Sequence, residues 1–154
     1  MAFKTHRQSY VNCTYETARA AGWDTVQLKY CGEYKLFDEG GTGTCVLLGD
    51  AFTGPRWAGT DLENRLLVWD CLVSDGKDLR GIDYRNRFSF ARLHCQRLGA
   101  FFKIVTPYPI QAAPELWKQR PVGTVGLVYR NSKAAYGEPL CVARRYDETP
   151  GDIP

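Results

Sequence analysis

The sequence predicts an α+β fold with a largely antiparallel sheet, and three stretches carry that expectation. Val26 to Phe37 alternates Val26, Leu28 and Tyr30 with Gln27, Lys29 and Cys31, the two-residue period of a strand with one buried face. Arg65 to Val73 is a nearly continuous apolar run, the pattern of a strand buried on both faces, interrupted by the single carboxylate Asp70. From Asp83 onward Tyr84, Phe88, Ala91, Cys95 and Leu98 recur at spacings of three and four, one face of a helix that ends near Gly99. Strands outnumber helices along the rest of the chain, which favours α+β over the other classes.

The remaining elements follow in order. The first dozen residues read as irregular or edge-like. Thr14 is placed to cap a short helix through about Ala21, with Gly22 just past its end. After the Val26 to Phe37 strand, Gly40-Gly41-Thr42-Gly43 reads as a hairpin loop rather than a phosphate cradle, since no helix follows it. Cys45-Val46-Leu47-Leu48 returns as the partner strand and leads to Asp50, which is expected beside Lys29 on a neighbouring strand. Thr53 to Asn64 is turn-rich, and Ser74 to Gly81 is a polar connection. Phe101 to Thr106 reads as a strand stopped by Pro107 and Pro109, followed by a loop or short helix through Trp117. Gly123 to Arg130 and Pro139 to Ala143 are the closing strands, and the Pro- and Asp-containing tail is expected to be mobile.

A chain of 154 residues is one domain's worth, with one core. Its net charge of +3 permits contact with phosphates but does not announce a strongly basic nucleic-acid surface. Six cysteines without a Cys-x-x-Cys pair, and only two histidines, argue against a zinc site. Cys45, Cys71 and Cys141 lie in apolar runs, as buried free thiols do. With no secretion signal, the expected compartment is a reducing, cytoplasmic one. No apolar stretch is long enough to cross a bilayer, so no membrane partner is expected.

Lys29 is the residue with the most chemistry to offer. A strand lysine two residues before Cys31-Gly32, where the backbone can turn closely, is a candidate covalent nucleophile, because partial desolvation favours the neutral amine. The competing reading is an ordinary solvated lysine.

Laid out in order, these segments resemble the covalent nucleotidyltransferase superfamily of ATP-dependent DNA ligases, RNA ligases and mRNA-capping guanylyltransferases. Lys29-Tyr30-Cys31-Gly32 stands where that family has Lys-x-Asp-Gly, Gln27 where many ligases have Glu or Gln, and Leu47-Leu48-Gly49-Asp50 resembles Leu-Asp-Gly-Glu. The run Leu67 to Arg87, with Trp69-Asp70 and Asp78-Leu79-Arg80-Gly81, is similar to the family's aromatic-Asp strand, polar turn and helix entry. Gly126-Leu127-Val128-Tyr129-Arg130 resembles Glu-Gly-Leu-Val-[Phe/Tyr]-[Lys/Arg]. Five such matches in the right order, covering about Gly22 to Arg145, are moderately specific.

The resemblance implies a minimal ligase- or capping-type domain, ATP-grasp-like, with antiparallel sheets flanked by helices around a nucleotide-sized cleft. It implies that residues 1–154 form one such domain without the oligonucleotide-binding (OB) domain of full-length relatives. It further implies that Lys29 attacks the α-phosphate of ATP or GTP, with Mg²⁺ or Mn²⁺ as cofactor, before the nucleotide passes to a nucleic-acid 5′ end. Gln27, Gly32 and Gly126 then belong to the nucleotide site, Trp69 stacks on the base, and Asp50 and Asp70 bind metal or ribose. Arg144 or Arg145 meets the triphosphate.

The sequence also departs from the family pattern. Cys31 replaces the motif's Asp, Tyr34 stands where Arg is usual, Val125 occupies the Glu position before Gly126, and Asp50 is shorter than Glu. The cap-binding domain of snurportin, a non-enzymatic relative in fold, resembles Gly126 to Arg145. Two functions therefore stand open. One is an enzyme forming a lysyl-nucleotide, with a protein partner supplying the missing domain. The other is a catalytically inactive module binding a nucleotide, a capped or phosphorylated end, or a protein. The compact size suits a virus- or phage-encoded protein.

Overall fold

The computed structural model of the protein describes residues 10–51, 65–144 and 153–154. The turn-rich stretch read at Thr53 to Asn64, the candidate Arg145 and most of the tail lie outside the described residues.

Two mixed sheets organise the chain. The first has the order β1 (Tyr10–Asn12), β10 (Leu140–Arg144), β9 (Thr124–Arg130), β2 (Thr25–Tyr30) and β8 (Tyr108–Pro109). The second has the order β3 (Glu33–Asp38), β4 (Val46–Ala51), β5 (Leu66–Ser74) and β6 (Lys77–Asp78), with β7 (Phe102–Ile104) paired to β5. Only β1 with β10 and β5 with β7 run parallel among the described strands, so the sheets are largely antiparallel. With three α-helices among the described residues, α1 (Tyr15–Ala20), α2 (Tyr84–Leu98) and α3 (Ala113–Lys118), the class is α+β as expected.

Local chemistry accounts for the element ends. Thr14 caps α1 through its hydroxyl, which accepts from the Thr17 amide at 3.2 Å, while the Thr17 hydroxyl accepts from the Thr14 amide at 2.8 Å. Asp83 caps α2 by accepting from the Asn86 amide at 3.0 Å. Asp75 and Gly76 both hold positive φ, 50° and 78°, the conformation that closes a two-residue hairpin. That hairpin adds β6 to what reads in sequence as a bare polar connection.

Val26 to Phe37 is two strands instead of one. The chain leaves β2 at Cys31-Gly32 and enters β3 in the other sheet, because a Cβ on Gly32 would lie 2.6 Å from the Ala51 carbonyl oxygen and only glycine permits that approach. Alternation continues across the break, which is why the pattern reads as unbroken.

Each sheet buries one face under helices. Val26, Leu127, Tyr129 and Ala143 pack against Ala18 of α1 and Ala113 and Trp117 of α3. Leu47, Leu66 and Val68 pack against Ala91 and Cys95 of α2. The other two faces meet, with Tyr30, Leu48, Leu67, Trp69 and Val105 between them. No helix among the described residues is long and apolar enough to cross a membrane.

Cys45, Cys71 and Cys95 are buried free thiols, but Cys141 is not free. It is joined to Cys13, with a Cα separation of 5.8 Å, because the parallel pairing of β1 with β10 brings together residues 128 apart in sequence. Cys13→Ser, or reduction of the wild type, is expected to lower stability by about 2–4 kcal/mol. Thermal unfolding with and without reductant measures it, and equal melting of the two forms would remove this bond from the stability account.

Candidate functional site

Strand register assembles the site. Lys29 of β2 lies opposite Gly126 of β9, and Gly126 lies opposite Arg144 of β10. Residues directly opposed on neighbouring strands project to one face, so Lys29 and Arg144 stand on the inner face with only a glycine between them. A Cβ at position 126 would fall 2.1 Å from the Ala143 carbonyl oxygen, so glycine is the residue the strand spacing allows. The same alternation puts Gln27 and Arg130 on this face.

From the opposite sheet Asp50 reaches Lys29. The Lys29 Nζ lies 3.3 Å from both Asp50 carboxylate oxygens, and the side chains are only 11% and 6% exposed. The two residues are thus neighbours, as expected, but across the gap between sheets and not on adjacent strands. Burial pushes the Asp50 carboxyl above its usual range, opposed by the Lys29 ammonium and by a hydrogen bond from Trp69.

Behind this pair lies Arg130, to which the motif pattern assigns no role. Its guanidinium carbon sits 5.2 Å from the Trp69 ring centroid and 4.3 Å from that of Tyr84. Its Nε donates to Gln27 Oε1, and Gln27 Nε2 donates to the Val105 carbonyl at 2.8 Å. The Nη1 of Arg130 is buried without a hydrogen-bond partner among the described residues. The inner-face alternation Gly126, Val128, Arg130, continuous with Lys29 and Gln27 on β2, is the signal that marks this residue.

Arg130 corrects one expectation. A nucleotide-sized cleft is expected at Trp69, yet the space among Gln27, Lys29, Asp50, Trp69 and Arg130 is about 10 Å³, room for one water. The arginine occupies the place against Trp69 where a base is expected to stack. Beyond the ion pair the gap opens into a polar hollow of about 170 Å³, lined by Lys29, Cys31, Gly32, Tyr34, Asp50 and Arg144. That is below the usual size of a whole-ligand pocket and suited to phosphate groups.

Asp70 is placed elsewhere. It is fully buried, and its carboxylate accepts from Arg87 Nε at 3.0 Å, from Arg87 Nη2 at 3.3 Å and from the Cys71 amide at 2.8 Å. Burial raises its carboxyl, with the Arg87 charge opposing. Arg87 Nη1 also donates to the Ile82 and Ala134 carbonyls at 2.7 and 2.9 Å. The Asp70–Arg87 pair therefore ties α2 to β5. Asp50 and Asp70, the two carboxylates expected to bind metal, are each held by a cation, Lys29 and Arg87 respectively. No group of three His, Cys, Asp or Glu side chains among the described residues converges to hold a metal ion. Val125, in the place of the family's Glu, supplies no carboxylate to the hollow it lines.

No protein-family model matches the chain, and no curated protein sequence matches it. Among solved structures, the fold is similar to that of a mycobacterial DNA ligase D complexed with ATP and MES, with a TM-score of 0.57 and 15% sequence identity. The match covers 91% of this chain and 60% of the ligase chain, so the protein spans less than two thirds of that structure. At this identity the likeness shows a shared fold, distantly related in sequence to that ligase structure.

Arg87→Met, which strands the Asp70 charge in the core, is expected to cost about 3–5 kcal/mol. Urea unfolding measures it, and Arg87→Met combined with Asp70→Leu should recover much of that stability. A cost below about 1 kcal/mol for the single change would show that the pair does not anchor α2.

Proposed function

We propose that the chain is a nucleotidyltransferase-type domain in which Lys29 accepts a nucleotide from ATP or GTP. The observation that carries this reading is the Lys29–Asp50 pair, buried at the floor of a polar hollow whose wall carries Arg144. An amine must be neutral to attack phosphorus, and a carboxylate whose proton affinity is raised by burial, 3.3 Å away, is placed to take that proton. The Nζ lone pair then forms a bond to the α-phosphorus as the bond from that phosphorus to the bridging oxygen breaks. Pyrophosphate leaves, with the Arg144 cation beside the hollow to offset its charge. The acceptor in the second half of the cycle is a phosphorylated nucleic-acid 5′ end, delivered with a partner protein.

A second reading, a module that binds a phosphorylated or capped end without chemistry, is favoured by Arg130. Its side chain lies against Trp69, the ring expected to stack on a base, and leaves only about 10 Å³ beside it.

Incubation of the purified protein with α-labelled ATP or GTP and Mg²⁺ or Mn²⁺, followed by denaturing electrophoresis, separates the readings. The expected result is a labelled band that is absent in Lys29→Ala and forms about 10²–10⁴-fold more slowly in Asp50→Asn. Folded wild-type protein that takes no label with either nucleotide and either metal would reject lysyl-nucleotide formation and leave the binding module.

A further inference from the structure

A second concave surface shares no residue with the Lys29 hollow. Where α2 meets the edge strand β7, an open groove of about 470 Å³ is lined by Arg65, Arg92 and Lys103 together with Phe88, Phe102 and Thr106, and no acidic side chain among the described residues lines it. The cations are not incidental to α2, which carries Arg85, Arg87, Arg92 and Arg97 and no Asp or Glu. Two of these are engaged, Arg87 with Asp70 and Arg97 with Glu39. Arg92 is exposed and has no ion-pair partner among the described residues.

Beside the cations stands an exposed aromatic ring. Phe101, between the groove residues Ala100 and Phe102, is 54% exposed. It is braced edge-on by Phe102 at 5.0 Å, which in turn packs on Phe37 at 4.7 Å. The ring presents a flat apolar face to solvent between two residues that line the groove.

We propose that this groove binds single-stranded nucleic acid, with phosphates along Arg65 and Arg92 and a base stacked on Phe101. Cations along an open groove suit a phosphodiester chain, and the ring suits the flat face of an unpaired base. A duplex keeps those faces stacked inside, and an acidic peptide has none. The chain's modest net charge conceals this surface because acidic residues elsewhere balance it. The inference does not depend on any chemistry at Lys29.

Fluorescence anisotropy of a labelled single strand of about 12 nucleotides, without nucleoside triphosphate and between about 50 and 200 mM salt, tests it. The expected result is binding that weakens about tenfold in Arg92→Glu, with the slope of log affinity against log salt reduced by about 0.7 for each phosphate that is no longer neutralised. Phe101→Ala should weaken binding about five- to a hundredfold with the slope unchanged, since stacking releases no counterions. Both positions are exposed, so circular dichroism of the variants should match the wild type. The proposal is overturned if the wild type does not bind at the lowest salt or if neither variant changes the affinity. It is likewise overturned if inorganic polyphosphate or a duplex of equal length binds as tightly as the single strand.

Discussion

Lys29 and Asp50 meet because the chain passes from one sheet to the other within two residues. Cys31 and Gly32 separate β2 from β3, and the absence of a Cβ on Gly32 lets that corner lie against the Ala51 carbonyl. The end of β2 is thereby pressed to the end of β4, and each strand delivers one charged residue to the gap. Any larger side chain at the corner would have to push the chain away from β4, the strand that carries Asp50. The hollow in front of Lys29 and the burial of Asp50 presuppose that closeness, while the alignment of Arg144 across Gly126 is set within one sheet.

Charges inside this protein are distributed according to what leaving them alone would cost. An unpaired buried charge is expensive, and here each buried carboxylate is met by its own cation, Asp50 by Lys29 and Asp70 by Arg87. The first pair borders a hollow. The second is sealed, and its remaining donors hold the backbone at Ile82 and Ala134, so it serves the scaffold. Arg130 is settled differently, against two aromatic faces and a glutamine oxygen, which places a planar cation in the space a planar base would need.

Much of this was legible in the residues themselves. Thr14 and Asp83 announce their helices because capping is a contact between residues three apart. The nearly continuous apolar run of β5 announces double burial, and the spacing of Tyr84, Ala91 and Cys95 gives the buried face of α2. Lys29 was identifiable from its place before a glycine on an alternating strand. The sheet change at Cys31-Gly32 was not, because alternation does not break when a strand bends into a second sheet. The role of Asp70 was also hidden, since a lone carboxylate in an apolar run is the same pattern whether it awaits a metal or an arginine.

The sequence by itself determined where most of the strands and the long helix lie, which faces are apolar, and that Lys29 shortly precedes Gly32 on an alternating stretch. Periodicity and capping report contacts within a turn or two of the chain, and those are all such features need. Only the tertiary structure decided which sheet each strand joins. It also decided that Arg130 contacts Gln27 across 103 residues, that Arg87 claims Asp70, and that Cys13 meets Cys141 across 128. Those pairings follow from how two sheets and their helices pack, a property of the whole assembly that no local pattern encodes.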